Sequence, residues 1–552
     1  MDRRCQLSQL HFPYRLLGPW LILCLLLATV GVNPSKGEKA NSRYGGTYRL
    51  ALRDNPTTLD PARMTDIYAH AISNQIFDGL VQFDGLLNPV PAVAGFWKAS
   101  PDGLTWTFYL RKGIKFHHGR EVTADDFVYS FTRLLDPAIQ SPAGSHFKYI
   151  RGANAFREGR ASAVNGLQAL NRHTLQIILE QPYAPFLSIL AMANAKVVPR
   201  EKVEAMGDQF GLQPVGSGPF VFQRWEQNRQ IVLKPFQDYH EGCPFLDQLV
   251  FKMGSKDLDS LNEFLNGGLE EVIVPVTKRR EVQHDPRYRP YRHFRKPVLH
   301  LLYIGFNTAK EPFTNPKVRQ AFNYAINKQA IVEDIRQGNS VIAKGILPLG
   351  MPGYNPQLKS YDYDPGRAKQ LLAEAGYPGG KGLPEIDLWY SSRSEITRQE
   401  LEVYQKNLAD VGVILKIHEA ANWRALKARL VRGEAMMFRV GWHSDIPDPD
   451  NFFFPLLASQ SKTNRTFYQN PQLDQMLEAA RRETDYRRRI RLYRDMERMM
   501  VQQAPWISQH HRVFEYLYQP YVRGMQITSL GAHYVPMKKI WLQNASDRRV
   551  KH

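Results

Sequence analysis

The chain has 552 residues, 43% hydrophobic and 23% charged, with a net charge of +19 and a pI near 9.6. That length exceeds one ordinary core and predicts two or three large lobes, while the apolar content excludes a disordered chain. Basicity alone suggests nucleic acid, but the N-terminus argues for export, so no nucleic-acid partner is expected and anionic surfaces or acidic ligands fit better.

Arg3, Arg4 and Arg15 precede Leu16 to Val32, a leucine-rich run diluted by few residues, Gly18, Pro19 and Thr29 among them. A basic flank before a short apolar run marks an export signal. At 17 residues the run is marginal for a membrane span, which leaves a retained anchor as the alternative. Residues 1–40 are assigned to signal or anchor, with cleavage between Val30 and Ala40. Cys24 lacks the small residues that precede a lipid-bearing cysteine. No later run is long and apolar, so a soluble periplasmic protein is expected. Of Cys5, Cys24 and Cys243, only the last survives cleavage, so no internal disulfide is expected.

Strand and helix signals then alternate, which predicts an α/β protein. Asp102-Gly103 makes a turn, and Trp106, Phe108 and Leu110 alternate with polar neighbours as a strand. Thr123-Ala124-Asp125-Asp126 reads as a capping box before the apolar face Phe127, Phe131, Leu134 and Leu135. Asn315-Pro316, Asp364-Pro365 and Asn470-Pro471 each place a cap residue before a first-turn proline. Gly376 and Pro378 end the second of these helices. Arg487, Arg488, Arg489, Arg491, Arg494 and Arg498 alternate with Ile490, Tyr493 and Met500, as on the solvated face of an amphipathic helix.

The most informative stretch is G-W-H-S-D-I-P-D-P-D-N-F, from Gly441 to Phe452. The apolar run Met436, Met437, Phe438 and Val440 predicts a buried strand before it, and Pro447 and Pro449 forbid a helix after it. Trp442 and Asp445 therefore fall where a strand passes into an ordered loop, a place suited to binding groups. A carboxylate beside an indole suits a ligand ammonium. Two alternatives are calcium chelation by Asp445, Asp448 and Asp450, without the EF-hand glycine and distal glutamate, and a solvated acidic turn.

The raw material for a hydrolase is thin. No H-E-x-x-H occurs, and Gly216-Ser217-Gly218 lacks the spacing of a nucleophile elbow. His117-His118 falls in a turn as exposed polar residues, and the adjacent His510 and His511 on a strand point to opposite faces. No enzyme, metal or cofactor is expected. A chaperone or sensor input shares the cleft of a binding protein and stays open from sequence.

Taken in order, the landmarks resemble the family 5 extracellular solute-binding proteins, the peptide-binding components of ABC importers. Leu59-Asp60-Pro61, the stretch from Ser100 to Gly113, and F-H-H-G-R-E-V-T-A-D-D-F-V-Y-S from Phe116 to Ser130 carry the first part. Val215 to Phe220, Phe306 to Phe313 and Val318 to Ile326 carry the rest, and the match runs from Gly45 to about Trp541. The resemblance implies a two-lobed periplasmic-binding-protein fold (type II, cluster C), with a hinge and an additional domain on the first lobe. It places lobe I at 41–71, 191–297 and 506–552, the additional domain at 72–190 and lobe II at 298–505.

It also implies that Asp445 anchors a peptide α-amino group, and that Trp442 and Trp423 line side-chain pockets. Gly441 and His443 are expected to offer backbone groups to the peptide. Arg439 matches an arginine that oligopeptide binders use for a ligand carboxylate, with a structural ion pair as its alternative. Arg393, before the helix around Leu401, matches loosely the arginine of dipeptide binders. The implied function is peptide capture by a monomer that delivers to ABC permease subunits, the alternative being a nickel chelate, an opine or another solute.

Overall fold

The 13-residue strand Trp506–Tyr518 (β16) runs through the middle of the molecule and is paired along its length. The computed structural model describes residues 43–254, 256–531 and 534–543, so the export segment with Cys5 and Cys24 lies outside the described residues. The start of β16 pairs with His300–Phe306 (β11), and residues 510–512 pair with Ser340–Ile342 (β12) on the other side. Its end pairs with Arg292–Pro297 (β10) and Glu271–Ile273 (β9). Every residue of β16 is buried or half-buried except Arg512.

Beyond β11 the sheet continues antiparallel into Met437–His443 (β15), then parallel into Ile386–Tyr390 (β13) and Leu415–Glu419 (β14). Pro316–Ala325 (α3), Pro365–Glu374 (α4) and Glu395–Ala409 (α5) cover this lobe, and Phe322, Leu372 and Tyr404 fill its core with Ile304 and Leu388. The caps form as the sequence predicts. Asn315 Oδ1 accepts from the Lys317 amide at 2.9 Å and Asp364 Oδ1 from the Arg367 amide at 2.8 Å. In Pro471–Arg482 (α8), Asn470 Oδ1 accepts from the Leu473 amide at 3.1 Å. Each cap is worth about 1 kcal/mol.

The other lobe is built on Thr47–Leu52 (β1), parallel to Gln248–Met253 (β8), with Gln230–Pro235 (β7) and Phe220–Glu226 (β6) antiparallel beyond. Ile67–Ile76 (α1) contributes Ile72 and Ile76 to its core. A separate antiparallel sheet of Ala94–Ala99 (β2), Thr105–Leu110 (β3), Thr174–Ile178 (β5) and Leu167–Asn171 (β4) forms the additional domain. Ala124–Leu135 (α2) opens where the Asp126 carboxylate accepts from the Thr123 amide at 2.9 Å.

Four expectations need correction. The first is that Pro447 and Pro449 forbid a helix: Asp450–Leu457 (α7) is helical directly after Pro449, because a proline at a helix start gives up no intrahelical hydrogen bond. Within Tyr486–Gln503 (α9), Arg489 is not on the solvated face: it is buried and grips Asp448 with two hydrogen bonds, at 2.6 and 2.8 Å. Arg481 grips Asp450 in the same way, at 2.9 and 3.2 Å. Asp448 and Asp450 are thus neither a solvated turn nor calcium ligands, because arginines occupy their oxygens. Nor is His117 an exposed polar residue. It is half-buried, one ring nitrogen accepting from the Gly216 amide at 3.2 Å and the other 3.0 Å from the Gly218 carbonyl. Burial lowers its pKa to about 4.

Candidate ligand-binding cleft

Strand alternation decides what β15 presents. His300 lies opposite His443, Leu302 opposite Gly441 and Ile304 opposite Arg439, so all six share one face. Trp442 projects from the other face, where it packs against the large apolar cluster and its Nε1–H donates to the Asn451 carbonyl at 2.7 Å. Asn451 Oδ1 accepts from the Asp445 amide at 3.0 Å. Trp442 and Asn451 together fix the chain as it leaves β15, which holds Asp445 on an ordered loop.

β13 pairs with β15 only at Met437 and Phe438. On that side the backbone from Arg439 to His443 carries no neighbouring strand, and Gly441 is exposed. A Cβ at Gly441 would meet His300 Nε2 at 2.6 Å, so glycine is what lets the imidazole close over the strand. An open strand edge can take up an extended chain.

The Asp445 carboxylate is half-buried and makes no hydrogen bond or ion pair with any described residue. Its surroundings come from every part of the molecule: His70 on α1, His146 in the additional domain, His443 on β15 and Tyr534 near the C-terminus. Burial lowers the pKa of all three histidines, and in each Asp445 is the largest charge opposing that fall. Burial, and then Asp445, raises the Tyr534 hydroxyl. Near neutral pH the walls are therefore uncharged around an uncompensated carboxylate, an arrangement that favours a cationic guest. Buried His70 Nε2 and Tyr534 Oη also lack partners among the described residues.

Arg439 is already engaged. Its Nη2 donates to Glu400 Oε2 at 2.6 Å, and Arg336 Nη1 donates to Glu400 Oε1 at 2.5 Å. Arg393 is exposed on the loop before α5. Trp423 opens the helix Trp423–Val431 (α6), 47% exposed, with the Arg465 guanidinium 4.9 Å above its ring. Asp445, His443 and Gly441 thus come together, Trp442 braces them from behind, and Trp423 and Arg393 are exposed. Sequence reading did not find His70, His146, Tyr534, Glu400 or Arg512. They lie on five separate stretches, and none belongs to a motif.

Residues 88–464 match the family model for bacterial extracellular solute-binding proteins, family 5. The chain belongs to that family. Family 5 proteins are extracytoplasmic substrate-binding components of ABC transporters, and the two lobes with an additional domain are their architecture. This family 5 chain is 32% identical to heme-binding protein A of Haemophilus influenzae over 535 residues, covering 93% of this chain and 95% of the relative. It is 33% identical to the dipeptide-binding protein of Escherichia coli strain K12 over 488 residues, covering 84% and 89%. Among solved structures it resembles the periplasmic binding protein DppA from Helicobacter pylori in complex with the peptide STSA. That likeness has a TM-score of 0.77 and 28% identity, covering 91% of this chain and 99% of that one. No helix among the described residues is long and apolar enough to cross a membrane.

Proposed function

We propose that this family 5 protein captures short peptides in the periplasm as a monomer and delivers them to the permease subunits of an ABC importer. The observation that carries the reading is the unpaired Asp445 carboxylate among neutral histidines. A peptide ammonium supplies the missing charge, and the open edge from Arg439 to His443 supplies backbone partners at Gly441 and His443. The dipeptide-binding relative and the peptide-bound neighbour support this choice of ligand. In this reading Trp423 meets ligand side chains once the lobes close. No step of this function needs catalysis or a cofactor: Ser217 Oγ accepts from the buried Asp78 amide at 3.3 Å, and His117 is committed to backbone.

A second reading, a non-peptide solute such as haem or a metal chelate, draws on His70, His146 and His443 standing around one carboxylate and on the heme-binding relative. Among the described residues, however, no three histidine, cysteine or acidic side chains are disposed to hold a metal ion. Mass spectrometry of small molecules released from denatured protein separates the readings. Peptides in the released fraction support the first; haem or a metal complex without peptides overturns it.

A further inference from the structure

Arg512 is the one exposed residue of β16, at the point where that strand passes from one lobe to the other. Its carbonyl accepts from the Val298 amide at 3.0 Å, so its backbone is fixed at the lobe junction. Its guanidinium makes no hydrogen bond or ion pair with any described residue. Register places the side chain. His510 lies opposite Leu302, on the face that carries Gly441 and His443, and Arg512 is two residues along on that same face. On its other side Arg512 lies opposite Ser340, whose hydroxyl accepts from Arg336 Nε at 2.7 Å.

Three arginines thus collect on one face, Arg336, Arg439 and Arg512, against a single carboxylate, Glu400, which the first two already share. The surplus positive charge belongs to Arg512. Although its surface is open to solvent, the protein packed around it keeps bulk water away. This desolvation, followed by Arg336 and Arg439, lowers its pKa to about 10, so it stays charged at neutral pH. Buried atoms around it also wait for partners: Arg439 Nε, His510 Nε2 and His300 Nδ1 have none among the described residues. His443 lies within reach of both charges: Asp445 and Arg512 are the two largest acting on it, with opposite signs.

We infer that Arg512, and not Arg439 or Arg393, holds a carboxylate of the bound ligand while Asp445 takes its ammonium. The inference rests on the peptide reading and narrows it to short zwitterionic or acidic peptides. A guanidinium fork matches a carboxylate in two parallel hydrogen bonds, which a serine or histidine cannot offer. The carboxylate comes either from the peptide C-terminus or from an acidic side chain.

Calorimetry with four probes tests it: tri-alanine against its C-terminal amide, and Ala-Glu-Ala amide against Ala-Gln-Ala amide. Wild type should prefer the acid of at least one pair by about tenfold or more, the scale of one charge-assisted contact. A preference in the first pair assigns the C-terminus, and one in the second assigns a side chain. Arg512→Gln should remove that preference while binding the amides as wild type does, and Arg512→Lys should restore part of it. The wild-type comparison does not depend on any variant folding. If wild type binds acid and amide equally, Arg512 takes no carboxylate, although the peptide reading stands. If the preference survives in Arg512→Gln, another cation holds the carboxylate and the inference fails. If wild type binds none of the four, the peptide reading falls and takes this inference with it.

Discussion

Arg439 and Glu400 meet across 2.6 Å, and the carboxylate's other oxygen is taken by Arg336 at 2.5 Å. Glu400 is fully buried and the two arginine side chains are each about 10% exposed, so one carboxylate neutralises two cations inside the lobe. Arg439 is thus held in a buried ion pair, the structural alternative for this position.

Removing the shared carboxylate strands two arginines. Glu400→Ala should destabilise the protein by about 3–5 kcal/mol, as breaking a buried pair does. Burial pushes the Glu400 pKa up, but Arg439 and Arg336 outweigh it and hold the value below the usual carboxylate range. A depressed folded pKa gives stability that is present above about pH 4.5, the unfolded value, and is lost as pH falls through the folded one. Scanning calorimetry from pH 7 to pH 3 should show this acid loss in wild type and a flatter profile in Glu400→Gln.

Glu497 predicts the opposite slope. It is buried on α9, and its Oε1 accepts from the Ile346 and Leu347 amides at 2.9 and 3.0 Å. Burial raises its pKa to about 7 against these hydrogen bonds. Between about pH 4.5 and 7 the folded state binds the extra proton, so stability contributed here declines as pH rises through that window. Glu497→Gln keeps an oxygen for both amides and cannot ionise. Its melting temperature at pH 8 should exceed that of wild type, the gain being on the order of 3 kcal/mol, and the two should converge at pH 5.

Asp448 and Asp450 are spoken for by Arg489 and Arg481. Asp448→Asn should cost about 3–5 kcal/mol by leaving Arg489 buried without a counter-charge. Calcium at millimolar concentration should leave the melting temperature of wild type unchanged, because neither carboxylate has an oxygen to spare. A calcium-dependent rise would mean that the arginine pairs are not the resting arrangement.

Much of the fold was legible because it is written locally. Asn315, Asp364 and Asn470 cap the helices that their sequence announces, and Met437 to Val440 form the buried strand that their apolar run announces. The position of Asp445 on a fixed loop was legible because a strand end, two prolines and a neighbouring tryptophan mark it. Other features come from long-range pairing, which leaves no local trace. Arg489 sits in a run of arginines on a solvated pattern, and only the approach of Asp448, 41 positions away, turns it inward. Arg512 follows two histidines in an apolar strand and has no motif. Its exposure becomes apparent only once β16 is seen to cross between the lobes. The sheet face that Trp442 takes also follows from long-range pairing, its register opposite Leu301.

If Asp445 anchors a ligand ammonium, calorimetry of peptide binding to wild type and Asp445→Asn will show it. The substitution keeps shape and removes charge, so affinity should fall by about a hundredfold or more, the scale of an unpaired buried ion of about 3–5 kcal/mol. N-acetylated peptide should bind wild type about as poorly, and the melting temperature of the ligand-free variant should match wild type, since Asp445 pairs with no described residue. Affinities within threefold of wild type for both the variant and the acetylated peptide would contradict the account.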